Sequence, residues 1–352
     1  MSINLKGFAF EYFVRRMLLS CGFTPVKSDG FLVFDKGIGQ MIHGQGYCHN
    51  ADVLVNPPLQ TPFYYPTRLI VECKCYNDTL GIEFARNVLG LREDINNFEI
   101  VTVEILNNRK SSHTTKNYSY PVNRYLYQVA LASVSGFKKT TLAYADAHKI
   151  PLISFGESRM FKRIKKLVQE IGDYVNDEDK NFFREKFLDT SLDESWLNDE
   201  RVSGNDKIQE FLDEVNKLTK QINIGLLDNG MILFLMKKED ATQRNRPVKN
   251  VEEDSYTIHW TDENKEWCLS RSNGDRLFFE LPHELMLRWK NDTDRKEREA
   301  MEIKKQYMSQ IVLYPNTEED EYIHILKMNG TFLNEINLEL GKIEDYETGV
   351  EE

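Results

Sequence analysis

The sequence predicts an α/β protein: a mixed central sheet flanked by helices, then a charged helical segment, then a smaller α+β domain. Helical and strand patterns alternate up to residue 156, proline and glycine follow the strands, and charged helical sequence begins near residue 159. We therefore expect a first domain at 1–158, a helical linker or subdomain at 159–220, an acidic α+β domain at 221–345 and an acidic tail at 346–352.

The elements follow from local patterns. Apolar residues recur at helical spacing over residues 4–20, and Gly22 is a stop signal. Glycine-rich hairpin strands then lead into a short strand at 51–55, which Pro57 and Pro58 end. The remaining predicted elements of the first domain are strands at 69–76, 100–106, 125–134 and 150–155 and helices at 80–95 and 138–148. The last domain has turn signals at 228–230 and 273–274, several strands and a charged helix at 293–308.

Composition is that of an ordinary globular protein, with 41% hydrophobic and 29% charged residues among 352. No apolar run reaches the length of a membrane span and no signal-peptide pattern opens the chain, so we expect a cytoplasmic protein without a membrane partner. The cysteine count is odd, which predicts reduced thiols. A zinc site from Cys48, His49, Cys73 and Cys75 is an alternative, although a single residue between the last two cysteines is a tight spacing.

Charge is distributed unevenly along the chain. Residues 1–160 contain 17 Lys and Arg against 13 Asp and Glu, or +4, while residues 161–352 contain 28 against 43, or −15. The first part therefore permits nucleic-acid binding, whereas the acidic second part argues against broad contact with a duplex.

A candidate site lies at the end of the strand at 69–76. Glu72 and Lys74 project from the same side of that strand, roughly 6 to 7 Å apart. They form either an ion pair at a sheet edge or part of a site, since a charge buried at a strand end is costly unless it is paired or binds a metal. Asp52, on the short strand upstream, favours a site, because two carboxylates and a lysine can hold a divalent cation and a water.

Three motifs in this order carry a family resemblance: Gly7-Phe8-Ala9-Phe10-Glu11, Asn50-Ala51-Asp52-Val53-Leu54-Val55 and Ile70-Val71-Glu72-Cys73-Lys74-Cys75-Tyr76. Together with a weaker likeness at 135–153, they resemble the PD-(D/E)xK nuclease superfamily, most closely its Mrr-type restriction endonucleases. The resemblance covers residues 1–156. It departs at Asn50-Ala51, where the family often has glycine and where the proline of its Pro-Asp signature is missing.

The resemblance implies a restriction-endonuclease-like core and a Mg²⁺-dependent DNA endonuclease, with a place in restriction or anti-phage defence. Mn²⁺ is expected to substitute for Mg²⁺. Asp52, Glu72, the backbone carbonyl of Cys73 and Glu11 would be metal ligands, and Lys74 would position or deprotonate the water or stabilise negative charge. Glu11 also has a simpler interpretation as a solvated helix-surface residue.

Four further residues are candidate nucleic-acid contacts. Gln45 and Tyr76 flank the predicted site, and Lys138 and Lys139 begin a helix, where free amides favour anions. Structural roles for the first two, and solvation for the lysines, remain open.

Two other functions remain open. The chain is alternatively a catalytically silent nucleic-acid-binding or scaffold protein, or a junction resolvase or RNA-cutting relative. We expect the C-terminal part to regulate the nuclease, bind a protein partner or form a homodimer. If it occludes the basic face, deletion of residues 160–352 should raise DNA affinity.

Overall fold

The structure, a computed structural model, describes residues 4–30, 32–36, 39–60, 65–98, 125–156, 158–191, 193–227, 230–238, 255–261, 266–282, 285, 302, 304–320 and 322–336. The predicted strand at 100–106, most of the predicted helix at 293–308, two residues of the turn at 228–230 and the tail at 346–352 lie outside these residues.

The central sheet of the first 156 residues contains five strands, numbered in chain order: β1 (Thr24–Pro25), β5 (Val53–Asn56), β6 (Thr67–Lys74), β7 (Leu126–Ser133) and β8 (Leu152–Ser154). They lie side by side in that order. β6, β7 and β8 are parallel, whereas β5 is antiparallel to β6. The apolar sequences of β6 and β7 are typical of parallel strands covered on both faces. The predicted α/β class with a mixed sheet is confirmed.

Helices cover both faces of this sheet: α1 (Leu5–Ser20) on one face, and α2 (Ile82–Asn96) and α3 (Lys139–Ala147) on the other. α1 is apolar around most of its circumference, which predicts a helix covered on all sides. Gly22 follows its end with a φ of +85°, and the N–H of Phe23 returns to the carbonyl of Leu18 at 3.3 Å. Glycine adopts this left-handed conformation at little cost, so the stop signal at Gly22 is confirmed.

A second, three-stranded antiparallel sheet consists of β2 (Val33–Lys36), β3 (Gly39–His43) and β4 (Cys48–Ala51). One residue, Asp52, separates β4 from β5. The sequence predicted one continuous strand at 51–55, and this is wrong. Ala51 pairs with Gln40 in the small sheet, while Val53 pairs with Val71 in the central sheet, so the chain bends between them to change sheets.

The segment after β8 is helical, as predicted. Its helices are α4 (Lys162–Glu170), α5 (Asp177–Leu188), α6 (Glu200–Ser203) and α7 (Asp206–Gln221), with short 3-10 turns at Ile171–Asp173 and Ser195–Asn198. The Asn205 side chain begins α7 by accepting hydrogen bonds from the N–H groups of Lys207 and Ile208, both at 3.1 Å. Buried residues of this segment join those of α1 and the central sheet in one cluster. None of the helices among the described residues has the length and apolar character needed to cross a membrane.

The described part of the C-terminal region forms a closed barrel, whose seven strands are β9 (Ile222–Leu227), β10 (Ile232–Lys237), β11 (Ser255–Thr261), β12 (Glu266–Arg271), β13 (Arg276–Phe279), β14 (Gln310–Tyr314) and β15 (His324–Met328). The sequence predicts most of these strands but not that they close on themselves. The barrel contacts the N-terminal part through Thr317, whose N–H donates to the carbonyl of Ser20 at 2.9 Å.

Candidate functional site

Asp52, Glu72 and Lys74 meet where β6 ends beside the bend between the two sheets. Lys74 is the last residue of β6, and Glu72 precedes it on the same side of the strand. Since Val53 pairs with Val71 in an antiparallel register, the next step of that register brings Asp52 level with Glu72. The change of sheet therefore places the aspartate beside the Glu-x-Lys motif.

The ammonium group of Lys74 lies between the two carboxylates. Its Nζ is 2.9 Å from Glu72 Oε2 and 3.4 Å from Asp52 Oδ2. The same Asp52 oxygen accepts a hydrogen bond from the backbone N–H of Cys73 at 2.8 Å. The side chains of Asp52, Glu72 and Lys74 are only 14%, 16% and 26% exposed, so solvent screens their interaction less than that of a surface pair.

Glu11 approaches this cluster from α1 and is 8% exposed. One turn later, Arg15 is also buried, and its guanidinium donates to the backbone carbonyl of Asp52 at 3.3 Å. The same guanidinium donates to the carbonyls of Phe187 and Asp189 at 2.9 and 3.2 Å. Arg15 therefore joins the Asp52 bend to α1 and to the end of α5. The alternative of a solvated Glu11 is wrong, because only 8% of the residue is exposed and its charged neighbours are Asp52, Glu72, Lys74 and Arg15.

Burial and mutual repulsion control the protonation of these groups. Burial, with the Asp52 charge as the next cause, raises the pKa of Glu11 to about 8 and also raises the pKa of Glu72. Burial lowers the pKa of Lys74, but the Asp52 and Glu72 carboxylates outweigh that effect, so its pKa is raised. In this arrangement Lys74 is charged, and Glu11 largely retains its proton at neutral pH.

The carboxyl groups fit a hard divalent cation by their chemistry, since oxygen ligands of this kind bind Mg²⁺. Crowding among Glu11, Asp52 and Glu72 is also a repulsion that a cation relieves. As arranged, however, Lys74 supplies the positive charge, and within the described ranges no three His, Cys, Asp or Glu side chains surround a common metal position. Lys74 contacts Asp52 Oδ2 and Glu72 Oε2, and the second oxygen of each carboxylate would be the one that binds a cation. The backbone N–H of Cys73 donates to Asp52, and the role of the Cys73 carbonyl as a metal ligand stays a prediction.

No protein-family model and no curated protein matches the chain. A crystal structure described as that of a protein of unknown function, AF1548, is similar at 14% identity, with a TM-score of 0.27, and covers 60% of this chain and 97% of its own length. A likeness at that level transfers no function, so the functional argument depends on this chain's own residues.

The predicted nucleic-acid contacts lie outside the cluster of carboxylates. Lys138 and Lys139 are exposed at the start of α3, after a loop that leaves β7 at the sheet edge where Lys74 ends β6. Tyr76 is 53% exposed and its ring lies 5.4 Å from that of Phe84. Gln45 is exposed on the loop between β3 and β4, and its backbone N–H binds the carbonyl of Asp94 on α2 at 2.9 Å. Their contacts with nucleic acid stay predictions.

The five cysteines are free thiols, as predicted: Cys21, Cys48, Cys73, Cys75 and Cys268. Cys48 Sγ lies 3.1 Å from His43 Nδ1, and His49 Nε2 lies 2.6 Å from Asp94 Oδ2. The candidate zinc ligands Cys48 and His49 thus have other partners.

A cavity of about 460 Å³ opens beside Glu11 and Asp52. Its walls come from α1, from the three-stranded sheet and from the end of α5, and Arg15, Lys36 and Arg184 place three cations around it. These cations were not predicted from the sequence. Arg15 had a local signal, since it is four residues after Glu11 on one face of a helix. Lys36 and Arg184 have no such signal in the local sequence, because only the packing of segments distant in sequence brings them together.

Proposed function

We propose that the protein is a divalent-cation-dependent endonuclease that hydrolyses phosphodiester bonds of DNA, on a restriction-endonuclease-like core of the PD-(D/E)xK type. The observation that carries this proposal is the meeting of Asp52, Glu72 and Lys74 within 3.4 Å at the end of one buried strand, with Glu11 beside them. These four residues are the ones that the resemblance assigns to the site. A pKa shifted by burial and by a specific charge partner is also typical of functional sites.

The four side chains have distinct roles in this proposal. Asp52 and Glu72, with Glu11, would hold a magnesium ion. Such an ion, when bound, lowers the pKa of a water and neutralises charge on the phosphate. Lys74 would position or deprotonate the water or stabilise developing negative charge. Arg15 positions Asp52 through the backbone.

The pairing of Lys74 with both carboxylates favours a second candidate, a catalytically silent nucleic-acid-binding protein in which the three charges are a structural ion network. In that case the network stabilises the strand end and no cation replaces it. Cleavage activity separates the two candidates.

The test is incubation of the purified chain with supercoiled plasmid in Mg²⁺, Mn²⁺ or EDTA. We expect nicked or linear plasmid with either metal, none in EDTA, and a loss of at least about 100-fold in Lys74→Ala and Asp52→Asn. Lys166→Ala, which removes a lysine 73% exposed on α4, is the matched control and should cleave normally.

Absence of metal-dependent cleavage on linear, branched or single-stranded DNA would refute the endonuclease. Cleavage of RNA alone, or of branched duplexes in preference to linear ones, would support an RNA-cutting relative or a junction resolvase instead. Equal activity in wild type and Lys74→Ala would assign the cleavage to a contaminant.

A further inference from the structure

Arg184 has an unmet hydrogen-bonding requirement inside the cavity. Its Nε is buried and has no hydrogen-bond partner among the described residues, although the residue lines the cavity. The guanidinium carbon lies 5.6 Å from the centre of the Phe8 ring, and no ion pair joins Arg184 to a carboxylate in the described part of the chain. A buried donor without a partner is costly, and an acceptor supplied by a ligand would remove that cost.

The guanidinium of Arg15 differs, because it donates to three backbone carbonyls and its role is structural. Lys36 resembles Arg184 in being uncommitted: it is exposed at the end of β2, and no described carboxylate forms an ion pair with it. The two side chains come from separate walls of the cavity, one from the three-stranded sheet and one from α5.

The charges of the cavity suit an anion that passes beside the carboxylates. Glu11 and Asp52 line it, together with Arg15, Lys36 and Arg184. Three cations and two carboxylates line it, so the positive groups outnumber the negative ones. Arginine binds phosphate through two N–H groups and lysine binds it as a point charge, so both suit the backbone of a nucleic acid.

We infer that Arg184 and Lys36 bind the DNA backbone at a phosphate next to the one that is cut, so that α5 of the acidic half forms part of the DNA-binding surface. This inference rests on the proposed function and adds the helical segment to it. The −15 charge of residues 161–352 therefore does not exclude that segment from DNA contact. In an acidic segment, DNA contact depends on the position of Arg184 and not on the net charge.

The experiment is fluorescence anisotropy with a labelled DNA duplex and a labelled single strand in EDTA, where cleavage does not interfere, over a series of salt concentrations. Arg184→Gln and Lys36→Gln should each weaken binding about 5- to 10-fold. Each should also reduce the slope of log K against log salt by about 0.9 on the duplex and about 0.7 on the single strand, the values for one lost phosphate contact. Arg184→Lys should keep the slope and lose part of the affinity.

The matched control is Lys186→Gln, on the same helix. The charge of Lys186 acts on Asp193 and Asp199 and its Nζ lies 5.8 Å from the Phe182 ring, so it belongs to another side of α5. Its slope should equal that of wild type. Thermal unfolding of each variant checks the fold, and Lys36→Gln, at an exposed position, tests the site even if Arg184→Gln unfolds.

Unchanged slopes in folded Arg184→Gln and Lys36→Gln overturn the inference, as does a wild-type protein that binds neither form of DNA. Binding with the expected slopes but without cleavage in any metal refutes the nuclease and leaves the phosphate site standing. Cleavage by wild type with unchanged slopes in both variants refutes the phosphate site alone.

Discussion

At the scale of single residues, burial decides the chemistry of this site. Glu11 lies on a helix that is covered by the sheet on one side and by α5 and α7 on the other, so a residue type that is normally solvated is nearly inaccessible. Its pKa of about 8 is the result, with Asp52 as the main charged neighbour that adds to the effect. Because burial raises this pKa, Glu11 keeps its proton to a higher pH in the folded state than in the unfolded chain.

We expect the stability of the metal-free protein to fall with pH because of this carboxyl. The ordinary pKa of a glutamate carboxyl is 4.5 and that of folded Glu11 is about 8, so between these values the folded state retains a proton that the unfolded chain releases. The contribution is complete below pH 4.5 and is lost as the pH rises to about 8, at about 1.4 kcal/mol per pH unit. Urea unfolding in EDTA from pH 5 to 8 measures it.

Glu11→Gln should remove this part of the slope and stabilise the protein most at the upper end of that range. Glu185→Gln, an exposed substitution on α5, is the control and should leave the slope as in wild type. A wild-type stability that rises over this range, or a Glu11→Gln protein with an unchanged slope, would contradict the assignment.

At the scale of elements, the site depends on how closely the ends of the parallel strands β6, β7 and β8 approach one another. Gly156 follows β8 at this edge, and a Cβ built there would lie 2.3 Å from the carbonyl oxygen of Ser135, in the loop after β7. Gly136 in that loop has a φ of +88°. Two glycines therefore allow the strand ends beside Lys74 to approach more closely than other residues permit.

Gly156→Ala should destabilise the fold by about 1 to 3 kcal/mol, because the contact is with backbone that cannot move aside without shifting β7. Gly172→Ala is the control: nothing lies within 4 Å of its Cβ position, so stability should change by less than about 1 kcal/mol. The denaturant midpoints of both variants measure these changes in stability. Equal midpoints would show that the loop after β7 yields easily.

Much of the first 156 residues is predictable from local patterns, because α1 and β6 are long apolar stretches and α2 is amphipathic. Asp52 marks where such reasoning fails. The local pattern predicts one strand at 51–55. The strand is divided because Ala51 pairs with Gln40 in the small sheet, whereas Val53 pairs with Val71 in the central sheet. The cavity and the barrel closure were missed for the same reason, since both depend on contacts distant in sequence.

At the scale of the whole molecule, one cluster of buried side chains extends from α1 through the central sheet into α4, α5 and α7 and on to β9. Tyr12 of α1, for example, has its ring 5.3 Å from that of Phe187 on α5. A boundary at residue 158 therefore passes through a shared core. Deletion of residues 160–352, the test that the occlusion hypothesis suggests, would expose this apolar surface and is unsuitable for measuring DNA affinity.

We accordingly expect residues 1–158 alone to aggregate or to unfold without a cooperative transition. Residues 1–221, which keep α4 to α7, should be markedly more soluble. Circular dichroism during heating, together with size-exclusion chromatography of both fragments, tests this. A cooperative transition in the 1–158 fragment at the temperature of the full chain would show that the first domain is independent.

The single residue between the two sheets limits how the chain can change length. In β5, Val53 and Val55 face the cluster under α1, while Leu54 faces the cluster under α2. Because strand side chains alternate, one residue inserted or removed beside Asp52 would exchange these faces and carry the carboxylate away from Lys74. Insertion or removal of two residues at a time, at the far end of the three-stranded sheet, would preserve both the faces of the β5 side chains and the position of the Asp52 carboxylate. A change of chain length at this bend thus affects the core and the candidate site together. In a library of single-residue deletions across 48–56, we expect few or no folded and active variants at the positions beside Asp52.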